Sequence, residues 1–179
     1  KKIIKKNINN KNILVTGGAG SIGGELCIEI LKNKPKKIFI LEMSEINLFN
    51  IIKKIKEKNL YSNNIIKPIL GDCNDKYFLE NYFKNIIIDD VYHAAAYKHV
   101  SFGEENQYSM IKNNIFGTKT IVDFSKYKKV KNFVFISSDK AVNPKSILGF
   151  TKSFGEKIVC NQMFQDKDEL KTNFTIVRF

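Results

Sequence analysis

The sequence predicts an α/β fold built on a doubly wound parallel sheet, and three observations support this prediction. Short apolar runs alternate along the chain with segments whose apolar residues recur at helical spacing. A glycine-rich segment follows the first apolar run and precedes the first helical segment. The 179 residues, 43% of them hydrophobic, can bury one substantial core, so we expect a single domain over residues 1–179.

The first half of the chain predicts three strands, each followed by a helix. The strands cover residues 12–16, 37–41 and 65–70. The first helix begins at Ser21, the second buries a face formed by Leu48, Ile52 and Ile55, and the third covers residues 75–84. The first helix has its apolar positions at Ile22, Leu26, Ile30 and Leu31, and Asn33 and Pro35 stop the pattern. Pro68 cannot donate to a ladder, so we expect the third strand to start or bulge there.

The second half continues the alternation. It predicts strands at residues 91–95, 132–137 and 174–177, and helices at residues 110–125 and 149–163. The helix over residues 110–125 presents a buried stripe of Ile111, Ile115, Thr118 and Val122. Since the chain stops directly after the sixth strand, we expect a substrate-holding lobe to follow residue 179 in a longer protein.

Lysine dominates the charge of the chain, which is +12 with a single arginine, Arg178. Proteins that read nucleic acids usually depend on the bidentate contacts of arginine. The lysines are spread through the whole chain among asparagine and isoleucine, as on solvated helix faces. We therefore expect no nucleic-acid partner.

Cysteines, histidines and hydropathy bound the compartment and the chemistry. Cys27, Cys73 and Cys160 are widely separated, which argues against a disulfide framework or a zinc site and favours a reducing cytoplasm. His93 and His99 are the only histidines and lack nearby acidic or thiol partners, so no metal is expected. No apolar run approaches the roughly 18 residues that cross a bilayer, so we expect no membrane contact by this segment, although a full-length protein could carry an inner-membrane anchor.

A phosphate-binding turn is predicted between the first strand and the first helix. The segment contains Gly17-x-x-Gly20-x-x-Gly23, and glycines let backbone N–H groups approach a pyrophosphate at a helix N-terminus. The alternative is a tight turn with a purely structural role. The turn residues expected to contact a dinucleotide are Gly17, Gly20, Ser21, Ile22 and Gly23.

Two acidic residues at strand ends extend this predicted site. Glu42 closes the second strand, where a carboxylate accepts hydrogen bonds from adenosine ribose hydroxyls and repels a 2′-phosphate, which favours NAD over NADP. The alternative for Glu42 is a solvent-facing loop position. Asp72 closes the third strand near the expected adenine, and its competing role is a helix N-cap.

Two longer motifs carry a family resemblance. They are His-Ala-Ala-Ala-Tyr-Lys-His-Val at residues 93–100 and Ile-Ser-Ser-Asp-Lys-Ala-Val-Asn-Pro at residues 136–144. With the glycine turn, Ser44-Glu45, Gly71-Asp72, Asn113-Asn114 and Gly117-Thr118, they resemble the UDP-N-acetylglucosamine 4,6-dehydratases, extended short-chain dehydrogenases/reductases of polysaccharide and glycan biosynthesis. The resemblance implies a Rossmann-type domain with NAD near Ala94 and Ala95 and a UDP-sugar substrate. Whether the protein forms a homo-oligomer stays open.

One departure from the superfamily pattern carries information. The superfamily's Tyr-x-x-x-Lys pair is incomplete, because Leu148 stands four residues before Lys152. An aliphatic residue there resembles the larger members that retain configuration at C5, whose product is UDP-2-acetamido-2,6-dideoxy-xylo-hexos-4-ulose. Glu42 and Phe150 also depart from the usual Asp and small residue, which leaves the packing near Lys152 open.

The resemblance also implies residue roles. The family's reaction is oxidation at C4, loss of water across C5 and C6, and return of the hydride to C6. Lys140 corresponds to the base at C5, Asp139 to the acid at the C6 hydroxyl, Ser138 to the hydrogen-bond partner of the C4 oxygen, and Lys152 to the ligand of the nicotinamide ribose. These roles require an intermittently neutral Lys140 and an Asp139 that is protonated when it acts as the acid. The alternatives are a surface ion pair and an exposed helix lysine, and Ser138, Asp139 or a water could take the C4 hydroxyl proton.

Other assignments follow from position. Lys98 stands at the predicted mouth of the sheet, where it is expected to contact substrate or cofactor, and Glu104 and Glu105 are expected on an exposed loop. Two other functions stay open: a nucleotide-sugar epimerase or reductase, and a non-catalytic NAD-binding module.

Overall fold

The computed structural model describes residues 2–165 and 172–179 and confirms the doubly wound parallel sheet. Six parallel strands lie in the order β3-β2-β1-β4-β5-β6. The strands are β1 (Asn12–Thr16), β2 (Lys37–Glu42), β3 (Ile66–Leu70), β4 (Asp90–His93), β5 (Asn132–Ser137) and β6 (Asn173–Arg178). The strand order reverses between β1 and β4, and in such sheets ligands bind outside the carboxyl ends of the strands at this point.

Helices cover both faces of the sheet. They are α1 (Lys2–Ile8), α2 (Ser21–Lys32), α3 (Glu45–Glu57), α4 (Lys76–Tyr82), α5 (Val100–Glu105), α6 (Gln107–Ile111), a π-helix (Lys112–Phe116), α7 (Gly117–Tyr127), a 3₁₀ turn (Asp139–Ala141) and α8 (Ile147–Gln165). The predicted strands and the main helices are present with boundaries shifted by a few residues. The sequence did not predict α1, α5 or the 3₁₀ turn.

The helix predicted over residues 110–125 is present, but it contains a π-helical segment. The π-helix divides α6 from α7, and it buries Asn113, Asn114 and Ile115 in succession. A π-helix adds a residue to the turn. Of the predicted stripe, Ile115, Thr118 and Val122 are buried, and Ile111 is only half-buried.

The expected loop position of Glu104 and Glu105 is wrong, because both residues end α5. The Glu104 carboxylate accepts a hydrogen bond of 2.8 Å from the backbone N–H of Ile147, the first residue of α8. A carboxylate at this position satisfies one of the N–H groups that a helix start leaves free. Glu104 therefore joins α5 to α8.

Pro68 lies within β3 without interrupting it. The register between β2 and β3 runs from Ile38↔Ile66 to Glu42↔Leu70. Because β3 is at the edge of the sheet, a residue that lacks a backbone N–H is tolerated there. The expected new start or bulge at Pro68 is therefore wrong.

Two hydrophobic clusters fill the space between the sheet and its helices. Ile13, Val15, Ile38 and Ile40 face α2 and α3 in one cluster. Leu14, Phe39 and Leu41, which alternate with them along the strands, belong to the other cluster with α4, α7 and α8. Both sheet faces are covered at β1 and β2, so these strands are apolar without a polar face. The edge strands β3 and β6 have exposed positions.

Phe83 is predicted to be a main contributor to stability. Its side chain is fully buried and its ring lies 5.5 Å from the rings of both Phe39 and Phe124. Replacing Phe83 with alanine leaves a cavity, so Phe83→Ala should lower the free energy of unfolding by about 3 to 5 kcal/mol in urea titrations. Tyr77→Ala on α4, where the side chain is 79% exposed, is the matched control and should change it by less than about 1 kcal/mol. Equal effects of the two substitutions would contradict the described core.

Candidate active site

The glycine turn packs directly against the loop after β4. Gly17 has a φ of +62°, and a Cβ at this position would lie 2.5 Å from Ala95 Cα. A Cβ on Gly23 would lie 2.1 Å from the carbonyl oxygen of Gly17. Glycine is required at both positions because the backbone approaches too closely for a side chain.

The N-terminus of α2 is open toward this turn. Its N-cap, Gly20, offers no side-chain cap and the first turn contains no acidic residue. Free N–H groups and the helix dipole therefore favour an anion at this position. The side chain of Ile22, an apolar position of this helix that was also predicted to contact the dinucleotide, is 44% exposed and lines the cleft.

A cleft of about 1030 Å³ lies at the carboxyl ends of the strands. The predicted site residues that line it are Gly17, Gly20, Ser21, Ile22, Gly23, Glu42, Asp72, Ala94, Ala95, Lys98, Ser138, Lys140 and Lys152. Asp139 is the exception: it precedes Lys140 on the 3₁₀ turn but does not line the cleft. The structure thus brings the proposed dinucleotide turn, Ser138 and the lysines Lys98, Lys140 and Lys152 into one cavity.

The two acidic residues at strand ends hold well-defined positions. Glu42 is only 8% exposed and its Oε1 accepts a hydrogen bond of 3.1 Å from the backbone N–H of Ser44, so the solvent-facing alternative is wrong. Asp72 accepts hydrogen bonds from the backbone and side-chain nitrogens of Asn74 at 2.8 and 3.0 Å. The N-cap of α4 is Asp75, so the capping alternative for Asp72 is also wrong.

Lys98 extends across the mouth of the glycine turn. Its Nζ donates a hydrogen bond of 2.8 Å to the hydroxyl of Ser21, the first residue of α2. The ammonium therefore lies beside the helix N-terminus that favours an anion. Of the two ligands expected for Lys98, this position favours the phosphates of a dinucleotide.

The Ser138-Asp139-Lys140 segment forms a compact local network. The Ser138 hydroxyl donates to Asp139 Oδ1 at 2.9 Å, and the Lys140 Nζ lies 3.2 Å from the same oxygen. The hydrogen bond from Ser138 and the Lys140 charge hold the pKa of Asp139 below its ordinary value. The carboxylate is therefore ionised at neutral pH and forms with Lys140 the exposed ion pair expected as the alternative, so the proton for the acid step must reach Asp139 during the reaction.

Lys152 is buried beneath the cleft. It is 7% exposed, its Nζ donates a hydrogen bond of 2.9 Å to the carbonyl oxygen of Ile136, and the ammonium lies 4.8 Å from the centre of the Phe135 ring. Burial lowers the pKa of Lys152 to about 8, although the Glu156 carboxylate opposes the shift. The alternative of an exposed helix lysine is wrong.

The two unusual residues near Lys152 have separate surroundings. Leu148 is buried and lines the cleft where the superfamily has its tyrosine. Phe150 is half exposed and its ring packs against Phe154 at 6.2 Å. The ring that lies against the Lys152 ammonium is therefore that of Phe135, whereas Phe150 packs against Phe154.

A buried carboxylate stabilises the end of β5, which the sequence analysis missed. Glu156 accepts a hydrogen bond of 2.6 Å from the Ser137 hydroxyl and two bonds, of 2.9 and 2.7 Å, from the Arg178 guanidinium. Arg178 and Ser137 together lower the pKa of Glu156. The only visible signal was the spacing of one helical turn between Lys152 and Glu156.

A further wall of the cleft was also missed. It contains Tyr97, His99, Phe102, Asn106, Ser109, Met110 and Asn113. The π-helix brings Asn113 to this wall, and the Asn113-Asn114 pair inside an apolar pattern was its one sequence signal. Within residues 2–165 and 172–179 there is no cluster of three or more potential metal ligands among His, Cys, Asp and Glu.

Burial of Lys152 should cost stability. The pKa is about 8 in the folded chain and ordinarily 10.5, so below pH 8 both states are protonated and the folded state carries the full penalty. Between these values only the unfolded state binds the proton, and stability rises with pH. Lys152→Met should raise the free energy of unfolding at pH 7 by about 2 kcal/mol, with the gain shrinking toward pH 10. Lys157→Met, on the exposed face of α8, is the control, and a destabilised Lys152→Met would contradict the burial penalty.

Comparisons with known proteins agree with the fold and the motifs. Capsular polysaccharide biosynthesis protein CapD of Staphylococcus aureus is 38% identical over 178 residues, which is 99% of this chain and 29% of CapD. A UDP-N-acetylglucosamine 4,6-dehydratase (inverting) of Campylobacter jejuni is 34% identical over 96% of this chain and 49% of that protein. The crystal structure of Pen from Bacillus thuringiensis matches with a TM-score of 0.86 and 35% identity, over 96% of this chain and 51% of Pen.

The chain spans less than half the length of these two curated relatives. None of the helices in the described part of the chain is long and apolar enough to cross a membrane. Residues 13–179 match the family model described as polysaccharide biosynthesis protein. The match covers nearly the whole chain and agrees with the motifs at residues 93–100 and 136–144. The resemblance is thereby confirmed, and the chain belongs to this polysaccharide biosynthesis family.

Proposed function

We propose that this chain is the NAD-binding part of a UDP-N-acetylglucosamine 4,6-dehydratase that acts in surface polysaccharide or glycan biosynthesis. The observation that carries the proposal is the single cleft shared by the glycine turn, Ser138, Lys140 and Lys152. The relative from Campylobacter jejuni named for this reaction supports the substrate class. The product is UDP-2-acetamido-2,6-dideoxy-xylo-hexos-4-ulose.

The residues of the cleft fit NAD. The backbone of Gly17 and the open N-terminus of α2 suit a pyrophosphate, and the Lys98 ammonium adds a positive charge there. The buried Glu42 carboxylate suits a ribose with free hydroxyls and disfavours a 2′-phosphate. NAD in this cleft would supply a hydride acceptor for C4 and return the same hydride to C6.

The ionised state of Asp139 supports a route for the C4 hydroxyl proton. The Ser138 hydroxyl lines the cleft and already donates to Asp139, so Ser138 can take a proton from the sugar while passing its own to the carboxylate. Asp139 then holds a proton that returns through Ser138 to the departing C6 hydroxyl. The water released thus consists of the C6 hydroxyl and the C4 hydroxyl proton.

Lys140 is proposed to be the base at C5. In its neutral form the amine removes the C5 proton once C4 is a ketone, and the resulting ammonium returns the proton to C5 after C6 has received the hydride. Removal and return by one amine, from one face, retain the configuration at C5. The cleft-lining Leu148 agrees with this proposal, because it places no phenol next to the sugar.

Several properties of the full-length protein stay predictions. They are attachment to the inner membrane, a cytoplasmic location and homo-oligomer formation. We propose that residues outside this segment bind the UDP moiety.

The reaction is tested with the full-length protein and UDP-N-acetylglucosamine labelled with deuterium at C4. The label should appear in the C6 methyl group of a 4-keto-6-deoxy sugar, and NMR of the product should show retained configuration at C5. A sugar epimerised at C4 would support the epimerase alternative. Return of unchanged sugar by protein that binds NAD would support the non-catalytic alternative.

Lys140→Met tests the assignment of the base. Loss of general base catalysis should lower turnover by about 100-fold or more, while the Kd for NAD, measured by calorimetry, should stay within about twofold. Lys145→Met is the control, because Lys145 is exposed and lies outside the cleft lining. Turnover of Lys140→Met close to that of the Lys145→Met control would exclude Lys140 as the base.

A further inference from the structure

His93 is a fully buried residue that none of the proposed roles uses. It is the last residue of β4 and packs against the rings of Phe133 and Phe135. Its Nδ1 lies 2.6 Å from the hydroxyl of Thr16, and its Nε2 lies 3.0 Å from the hydroxyl of Thr118. The imidazole therefore bridges β1 and α7 inside the protein.

The direction of each hydrogen bond in this bridge can be assigned. The Thr118 hydroxyl donates to the backbone carbonyl oxygen of Asn114 at 2.6 Å. Since this hydroxyl has a single hydrogen, it must accept from His93 Nε2–H. In the neutral ring, which burial favours, His93 Nδ1 is then an acceptor, so the Thr16 hydroxyl donates to it. The result is a directed chain from Thr16 through neutral His93 and Thr118 to Asn114.

Both ends of this chain reach the walls of the cleft. Thr16 immediately precedes Gly17, and its carbonyl oxygen also accepts a hydrogen bond from Ala94 N–H at 3.0 Å. At the other end, the Asn114 side chain bonds both backbone groups of Tyr97, at 2.8 and 3.0 Å, and the hydroxyl of Thr151 at 3.0 Å. Thr151 is adjacent to Lys152.

We propose that His93 is a positioning residue for dinucleotide binding, which fixes the phosphate-binding turn relative to the helix that carries Lys152. The proposal rests on the proposed binding of NAD. Thr16, His93 and Thr118 do not line the cleft, so their effect on a ligand must pass through the groups that they hold. Neutral imidazole is the form required, because an imidazolium has no acceptor for the Thr16 hydroxyl.

Burial and charge around His93 favour the neutral form. Burial, with a smaller contribution from the Lys152 ammonium, lowers the pKa of His93 to about 3. The tautomer can be measured directly, because the chain contains only one other histidine, the exposed His99. Nitrogen NMR of ¹⁵N-histidine-labelled protein at pH 7 should show His93 protonated at Nε2 alone and protected from solvent exchange.

The functional test uses two variants that break the chain at different points. His93→Phe keeps the aromatic packing and removes both hydrogen bonds, and Thr118→Val removes a hydroxyl at nearly constant volume. In folded full-length protein each should raise the Kd for NAD by about 10-fold, because a hydrogen bond that positions the binding turn is lost. Ser125→Ala is the matched control, because its buried hydroxyl makes the same bond to the carbonyl four residues earlier on α7.

The outcomes separate this inference from the proposed function. If wild-type protein fails to bind NAD, the proposed function and the inference both fail. If wild-type protein binds NAD and Thr118→Val, folded by near-UV circular dichroism, binds it within twofold of the Ser125→Ala control, the inference alone is overturned. Because Thr118→Val is nearly isosteric, it decides the matter even where His93→Phe does not fold. A doubly protonated His93, or one protonated at Nδ1, would also overturn it.

Discussion

The contact between two backbone segments, at Gly17 and at Ala94-Ala95, is the constraint on which the rest of the site depends. The turn after β1 reaches the loop after β4 so closely that a methyl group at Gly17 would lie within 3 Å of three backbone atoms. This approach occurs where the strand order reverses, and it opens the N-terminus of α2 toward the cleft. A side chain at Gly17 would separate the segments and close that site.

A second constraint is the protonation state of Asp139. The 3₁₀ turn directs the Ser138 hydroxyl and the Lys140 ammonium onto one oxygen of Asp139. The arrangement suits a carboxylate that receives its proton during the reaction, as the predicted acid role of Asp139 requires. The proposed route then needs one hydroxyl at the cleft wall, which Ser138 provides.

The fold was predictable because its signals are local. Strands buried on both faces read as short apolar runs, and a glycine turn between a strand and a helix is recognisable from spacing alone. The π-helix was not predictable, since an inserted residue changes the helical period without any proline or glycine inside the π-helix to mark it. The position of Asp139 outside the cleft lining, the clamp of Glu156 on Arg178 and the hydrogen-bonded chain through His93 all depend on residues that are distant in sequence. The spacing of residues along the sequence does not predict such contacts.

The bond between Glu104 and the first N–H of α8 has a mechanical consequence. Glu104 belongs to the short helix that carries Phe102 at the cleft wall, and α8 carries Lys152, which lines the same cleft. α5 also packs against α8, so the carboxylate adds a hydrogen bond to a contact that already joins the two helices. Phe102 and Lys152 are therefore held at a fixed separation before any ligand arrives, and the width of the cleft at this point is a property of the folded chain.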